Sequence, residues 1–147
     1  MNTEEAFLAY KDDVYRLAVS YTRSIADAED VCQTVFLKLM EQKHIQPGKE
    51  KAWLMRTCAN ECRSLLRSHW WKKTEHLDET LPFLQKEDGV LRSVLALEPK
   101  YRAPVYLYYY EGYSVEEIGR LLKVNPSTIS TRLARARNRL KEELKEV

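Results

Sequence analysis

Apolar residues recur at intervals of three and four along almost the whole of this 147-residue chain, and that spacing places side chains on one face of an α-helix. The strict alternation that a half-buried β-strand requires is not sustained in any stretch. Glycine occurs only four times, so few positions favour the tight turns that connect short strands. No apolar run approaches the roughly 20 residues needed to cross a bilayer. The pattern predicts an all-α protein.

Three amphipathic segments follow one another in the first half of the chain. The first is predicted near Glu4 to Thr22, and the second starts at a capping box formed by Ser24 and Asp27 and runs to Pro47 and Gly48. The third carries its apolar residues on one face, at Leu54, Cys58, Cys62 and Leu65. Because these stripes must be buried against one another, residues 1–71 are predicted to form a compact helical domain. Trp53 is expected to be a large apolar residue in the core of this domain.

A change of composition follows this domain. Residues 72–89 are polar and acidic around Pro82, and such a composition is typical of a linker. Helical spacing resumes at Val90, first in a short segment that stops before Pro99 and then in a tyrosine-rich segment from Tyr101 to Tyr110. The sequence therefore predicts two small helical domains, residues 1–71 and 90–147, joined by a polar linker.

The second predicted domain contains the local features of a helix-turn-helix. Ser114 and Glu117 form a capping box, Gly119 allows a following helix to approach closely, and Asn125 is a favoured N-cap with Pro126 at the first helical position. Small polar side chains at the start of the last helix permit close approach to base edges in a DNA major groove, and arginines flank them. The residues expected to contact DNA are Ser127, Thr128, Ser130, Thr131, Arg132, Arg135 and Arg139. A helical hairpin without a DNA role is the alternative.

The distribution of charge indicates contact with a polyanion. Seven basic and no acidic residues lie between Ile118 and Lys141, and six basic residues accompany only Glu61 between Lys51 and Lys73. Residues 1–30 and 74–88, by contrast, are mainly acidic. Either basic block alone could be a solvated helix face, but two blocks separated by acidic sequence favour two contacts with nucleic acid.

Several stretches resemble the extracytoplasmic-function (ECF) group of bacterial RNA polymerase sigma factors. Residues 112–119 and 127–137 are similar to sigma region 4. Residues 27–39 resemble the part of region 2 that binds the clamp of RNA polymerase, and residues 52–67 resemble the part that meets the −10 promoter element. Regions 1 and 3 have no counterpart here, which is the layout of the ECF group. Lys123 departs from the family pattern, because glycine is usual at this position of the turn.

The resemblance implies a partner for each domain. Region 2 would bind the polymerase clamp through Asp27, Asp30, Gln33 and Phe36, and the −10 element through Arg56, Asn60, Arg63 and Arg67. Region 4 would bind the −35 element and the polymerase flap. The implied function is that of an alternative sigma factor, which directs promoter-specific transcription initiation in response to stress and needs neither catalysis nor a cofactor of its own. The implied regulator is an anti-sigma factor, often membrane-bound in this group.

Other classes of protein fit the sequence less well. A regulator that binds DNA without polymerase would need a sensing domain, and the first domain has no phosphate-binding loop. A metal sensor could use Cys58, Cys62 and His69, but both cysteines share the apolar stripe of the third helix, which favours core positions. An enzyme is disfavoured because the three histidines have no nearby nucleophile or paired carboxylates. Two roles are open for Trp70 and Trp71: they stack on nucleic-acid bases, or they pack at the end of the first domain.

Cysteine usage and the start of the chain favour a cytoplasmic location. Cys32, Cys58 and Cys62 lie among helical residues rather than in a disulfide framework, which suits a reducing compartment. The chain does not open on the basic, apolar and small residues of a secretory signal.

Overall fold

The structure is a computed structural model that describes residues 2–42, 44–68 and 89–145. These residues form helices and no β-strand, which confirms the predicted all-α fold. They fall into two compact units. The first contains α1 (Thr3–Thr22), α2 (Ile25–Glu41) and α3 (Glu50–Arg67). The second contains α4 (Gly89–Ala96), α5 (Pro99–Val105), a π-helical turn (Tyr106–Tyr110), α6 (Val115–Leu122) and α7 (Pro126–Lys145). The predicted linker, apart from Gly89, and His69, Trp70 and Trp71 lie outside the described residues.

The first unit is a bundle of three helices whose boundaries follow from local chemistry. Asn2 caps α1 by accepting a hydrogen bond from the backbone N–H of Glu5 at 2.7 Å, and Ser24 caps α2 by accepting one from Asp27 at 3.3 Å. The residues that fill the core are fully buried, and they include Leu17, Val35, Leu39, Leu54, Cys58 and Cys62. Burying each leucine contributes about 1.5–3 kcal/mol, so packing of these faces holds the bundle together.

Two expectations for this unit were wrong in detail. Helix α2 ends at Glu41, before Pro47, because Gln42 already adopts an extended conformation with a ψ of 121°. Trp53 is only partly buried rather than a core residue. At about 100° per residue, Trp53 lies on the side of α3 away from Cys58 and Cys62, so its side chain does not enter the core that they line.

The core of the second unit contains a charged side chain. Arg102 is only 1% exposed, in a unit whose almost fully buried apolar residues include Leu107, Ile118, Ile129 and Leu133. Its Nη1 donates a hydrogen bond of 2.8 Å to the backbone carbonyl of Leu97, at the junction between α4 and α5. Burial of a guanidinium is tolerated only when its N–H groups find hydrogen-bond acceptors. The bond to Leu97 therefore connects the α4–α5 junction to the core of the unit.

The tyrosine-rich segment, predicted as one helix, widens into a π-helical turn after α5. Pro104 lies inside α5 and has no N–H to continue the ladder of i to i−4 hydrogen bonds. Beyond it, the N–H of Glu111 bonds to the carbonyl of Tyr106 at 3.2 Å, a span of five residues. The wider turn leaves Tyr108, Tyr109 and Tyr110 exposed.

The helix-turn-helix is formed as the sequence predicts. Ser114 and Glu117 make both hydrogen bonds of the capping box at the start of α6. A Cβ atom added to Gly119 would lie 2.7 Å from the carbonyl oxygen of Val124 in the turn, so only glycine allows this approach. Lys123 ends α6 in the left-handed region, with φ 58° and ψ 44°. That conformation costs a non-glycine residue about 1–2 kcal/mol.

Replacing Lys123 with glycine is therefore expected to stabilise the second unit by up to about 1 kcal/mol, because the relieved strain exceeds the entropy that glycine loses on folding. Thermal unfolding followed by circular dichroism would show a midpoint raised by a few degrees. Lys123→Ala is the matched control, since it removes the same charge but keeps the Cβ atom. An equal gain in both variants would attribute the effect to charge and contradict the strain argument.

Candidate nucleic-acid and protein interfaces

Helix α2 presents an exposed row of mixed character, which we call the α2 stripe: Asp30, Gln33, Leu37 and Met40. At about 100° per residue, these four positions share one side of the helix, opposite the buried Ala28, Val31, Val35 and Leu39. Leu37 and Met40 are 63% and 58% exposed, although both are large and apolar. Aliphatic side chains beside a carboxylate and an amide are typical of a protein-binding surface.

The other two residues expected to bind polymerase flank the α2 stripe on opposite edges. The backbone N–H of Asp27 belongs to the Ser24 cap, so Asp27 lies at the very start of α2. The ring of Phe36 packs against Phe7 of α1 with centroids 4.6 Å apart. Phe36 therefore contributes to the contact between α1 and α2 and is only partly exposed to a partner.

Helix α3 carries a polar, cationic row on its outer side, which we call the α3 basic face: Arg56, Asn60, Arg63 and Arg67. Their helical positions fall within an arc of about 60°. Arg56 and Arg67 are exposed, whereas Asn60 and Arg63 are partly buried. The structure thus brings together all four residues that the sequence assigns to −10 contact, with cations at both ends of the row and an amide between them.

Two side-chain contacts organise the α3 basic face. Arg63 donates a hydrogen bond from Nη2 to Oδ1 of Asn60, one turn earlier in the same helix. Glu61, the acidic residue of this block, forms an ion pair with Lys38 of α2. Because Lys38 neutralises Glu61, the block retains a net positive potential towards a polyanion. Trp53 lies about 20° from Asn60 around the helix, so an aromatic ring borders the same face.

The start of α7 forms the candidate reading surface of the helix-turn-helix. Asn125 caps the helix by accepting hydrogen bonds of 2.9 Å from both the N–H and the hydroxyl of Ser127. The hydroxyl of Thr131 donates to the carbonyl of Ser127 at 3.0 Å. Ser127, Ser130, Thr131 and Arg135 are exposed, while Thr128 and Arg132 are partly buried. These short side chains leave the first two turns of α7 open to a large ligand.

The cations further along α7 make contacts within their own unit. Arg139 lies 3.5 Å from a carboxylate oxygen of Glu98, and its guanidinium lies 5.5 Å from the ring centroid of Tyr101. Arg137 donates a hydrogen bond of 3.0 Å to the hydroxyl of Tyr109. Arg139 is expected to contact DNA, and in this structure its guanidinium lies against the start of α5. Both side chains remain exposed and could exchange these partners for a phosphate.

The electrostatic state of the capping glutamate follows from the fold. The backbone N–H of Ser114 bonds to the carboxylate of Glu117, which lowers the pKa of that carboxyl below its usual range. Because this pKa is lower in the folded state, the charged carboxylate stabilises α6 at pH values above the ordinary pKa of a glutamate. The contribution is lost as the pH falls through the folded-state pKa. The cap is therefore fully formed near neutral pH.

Two cysteines of the first unit, Cys32 and Cys58, have raised pKa values and are therefore neutral thiols near neutral pH. Burial raises the pKa of Cys32 to about 12, and a hydrogen bond with Cys62, with burial, raises the pKa of Cys58 well above its usual range. Thiols without thiolate character are poor nucleophiles and poor metal ligands. In the described part of the chain, no group of three or more His, Cys, Asp and Glu residues could hold a metal ion.

Sequence reasoning missed Leu37 and Met40 as candidate functional residues. The signal was present, because both are large apolar residues that fall outside the buried stripe of α2. A helix with apolar residues on two separate sides must bury one side against its own domain and expose the other. None of the described helices is long and apolar enough to span a membrane.

The comparisons with known proteins agree with this geometry. The family model for sigma-70 region 2 matches residues 6–72, and the model for sigma-70 region 4 matches residues 88–140. The ECF sigma factor SigE of Mycolicibacterium smegmatis is 31% identical over 96% of this chain, which spans 61% of SigE's length. SigV of Bacillus subtilis is 31% identical over 86% of this chain and 81% of its own. CarQ of Myxococcus xanthus is 30% identical, and the alignment covers 98% and 90% of the two chains.

Solved structures share the fold at lower identity. The sigma factor RpoE, crystallised with the anti-sigma factor NepR from Bartonella quintana, matches 97% of this chain and 96% of its own, with a TM-score of 0.77 and 23% identity. CnrH, solved with the cytosolic domain of CnrY, matches 98% of this chain and 88% of its own, with a TM-score of 0.70 and 21% identity. With two region models matched in order and relatives named as sigma factors over most of its length, the chain belongs to the ECF group of RNA polymerase sigma factors.

Proposed function

We propose that this chain binds core RNA polymerase and directs it to promoters with a specific pair of −10 and −35 elements, as an alternative sigma factor. Residues 1–71 act as region 2, with the α2 stripe on the polymerase clamp and the α3 basic face on the −10 element. Residues 90–147 act as region 4, with the start of α7 on the −35 element and another surface on the polymerase flap. Catalysis stays with the polymerase.

One observation carries this proposal above all others. Each unit that matches a sigma region exposes a surface of the required chemistry: cations around an amide on α3, and short polar side chains at the start of α7. Cations supply the affinity for phosphates, while amides, hydroxyls and arginines read base edges. A solo DNA-binding regulator would have no use for a second nucleic-acid surface on the other unit.

Regulation by an anti-sigma factor is part of the proposal. The two solved structures compared above are both complexes with a second chain, which is named as an anti-sigma factor in one case. An inhibitor that covers the α2 stripe would bury Leu37 and Met40 and block polymerase at the same time. A sigma factor released from such an inhibitor by stress acts on polymerase in the cytoplasm, where we place this protein.

The experiment that tests the proposal is transcription in vitro with purified core polymerase and a randomised upstream element. Wild-type protein should direct initiation from a defined subset of templates, and Arg135→Ala should relax the preference within the −35 element. An arginine at a guanine edge contributes about 1–3 kcal/mol of discrimination. Arg139→Ala is the matched control, because Arg139 is a nearby cation of the same helix whose guanidinium forms an ion pair with Glu98. Its loss should reduce initiation from all templates slightly and to the same extent.

Two outcomes would count against this assignment. Promoter binding that does not require core polymerase would identify a solo regulator instead. An unchanged template preference for Arg135→Ala, together with a shallower salt dependence, would make Arg135 a phosphate contact.

A further inference from the structure

The contact between Arg63 and Asn60 decides which atoms of the amide can face a base. A guanidinium has five N–H donors and no acceptor, so the atom of Asn60 that meets Arg63 must be the carbonyl oxygen. The hydrogen bond from Nη2 of Arg63 to Oδ1 of Asn60 follows this chemistry. The amide therefore cannot rotate by 180° without placing its own N–H groups against a cation.

This orientation places the Nδ2 donors of Asn60 on the other side of the amide from the contact with Arg63, and Asn60 is partly exposed. Asn60 lies in the middle of the α3 basic face, between Arg56 and Arg67, where an unpaired base of the −10 element would be held. A free asparagine recognises adenine through both its oxygen and its nitrogen, because adenine offers an amino donor and a ring acceptor side by side. With Oδ1 occupied by a cation, a base amino group approaching that oxygen would also meet the positive charge of Arg63.

We propose that Arg63 is a positioning residue that makes Asn60 a one-sided hydrogen-bond donor, so that Asn60 selects a base with an outward carbonyl oxygen and disfavours adenine at one position of the −10 element. The inference rests on the proposed function, since it assumes that the α3 basic face contacts the −10 element. It goes beyond that function by assigning Arg63 a role in specificity rather than in phosphate binding alone.

The test compares −10 preferences of reconstituted holoenzymes on a template library randomised across the −10 element. Arg63→Met removes the donors but keeps the length of the side chain, so the amide is free to turn and adenine should gain about threefold to tenfold at one position. Arg63→Lys restores a donor to Oδ1 and should restore the wild-type profile. Asn60→Asp keeps the contact with Arg63 but offers only acceptors, so it should favour bases with an exocyclic amino group at that same position.

Arg67→Met is the matched control for loss of charge, because Arg67 lies one turn further along the same face. It should reduce initiation from all templates alike and leave the preference profile unchanged. If Arg63→Met behaves in the same way, Arg63 is a phosphate contact and the inference is overturned. If wild-type protein shows no promoter preference with core polymerase, the proposed function fails instead, so the two failures are distinguishable. Circular dichroism of each variant would identify any that does not fold.

Discussion

Replacing Arg102 with alanine is expected to destabilise the second unit by about 3–5 kcal/mol, the largest loss of stability that we expect from a single substitution in this chain. The substitution leaves the carbonyl of Leu97 without its 2.8 Å donor and opens a cavity at a site that is 99% buried. A small domain has a total stability of about 5–15 kcal/mol, so the variant would unfold near physiological temperature. Arg102→Met should cost less, since methionine fills most of the volume and the loss is then mainly that of the hydrogen bonds, including the one to Leu97.

The distribution of aromatic residues allows this effect to be assigned to one unit. All three tryptophans lie between residues 53 and 71, so tryptophan fluorescence reports the first half of the chain. Circular dichroism at 222 nm reports helices of both units. In a denaturant titration of Arg102→Ala, part of the dichroism signal should be lost at a lower concentration while the fluorescence midpoint stays unchanged. Equal shifts of both signals would contradict a local role for Arg102.

The sequence predicts the features of the fold that depend on neighbours in the chain. Capping by Ser24, Ser114 and Asn125, the close approach at Gly119 and the left-handed turn at Lys123 are all decided within a few residues. The amphipathic spacing of α2, α3 and α7 also places the candidate binding residues of each helix on a common side. These features could be predicted because helical geometry and capping chemistry are local.

Features that depend on packing between distant segments could not be predicted. An arginine beside a tyrosine is usually a surface residue, and Arg102 is buried because helices that are distant in the chain pack together in the second unit. Arg139 and Glu98 are 41 positions apart and meet because α7 packs across the start of α5. Trp53 was expected in the core because its size suggests burial, whereas its exact angle around α3 decides its exposure. The limits of the two domains stay predictions.

Replacing Leu37 with alanine is expected to weaken binding to core polymerase by about tenfold to a hundredfold, the largest functional loss that we expect. Exposed apolar anchors surrounded by polar residues are where binding energy concentrates at protein interfaces, and truncation of one typically costs about 2 kcal/mol or more. Leu37 is 63% exposed in the middle of the α2 stripe, with Asp30 and Gln33 before it and Met40 after it. Asp30→Ala combined with Gln33→Ala should reduce the association rate and its salt dependence as well as the affinity.

Leu8→Ala is the matched control, because Leu8 is 59% exposed on α1 and the substitution removes the same number of atoms outside the α2 stripe. Affinity for purified core polymerase, measured by fluorescence anisotropy with labelled protein, should fall for Leu37→Ala and stay unchanged for Leu8→Ala. Both substitutions are at exposed sites, so neither should lower the free energy of unfolding by more than about 0.5 kcal/mol. If the two variants lose affinity equally, the surface of this chain that binds polymerase is not confined to α2. If neither loses affinity, the apolar side of the α2 stripe belongs to another partner, and an inhibitor rather than polymerase would explain why α2 keeps two large apolar residues in water.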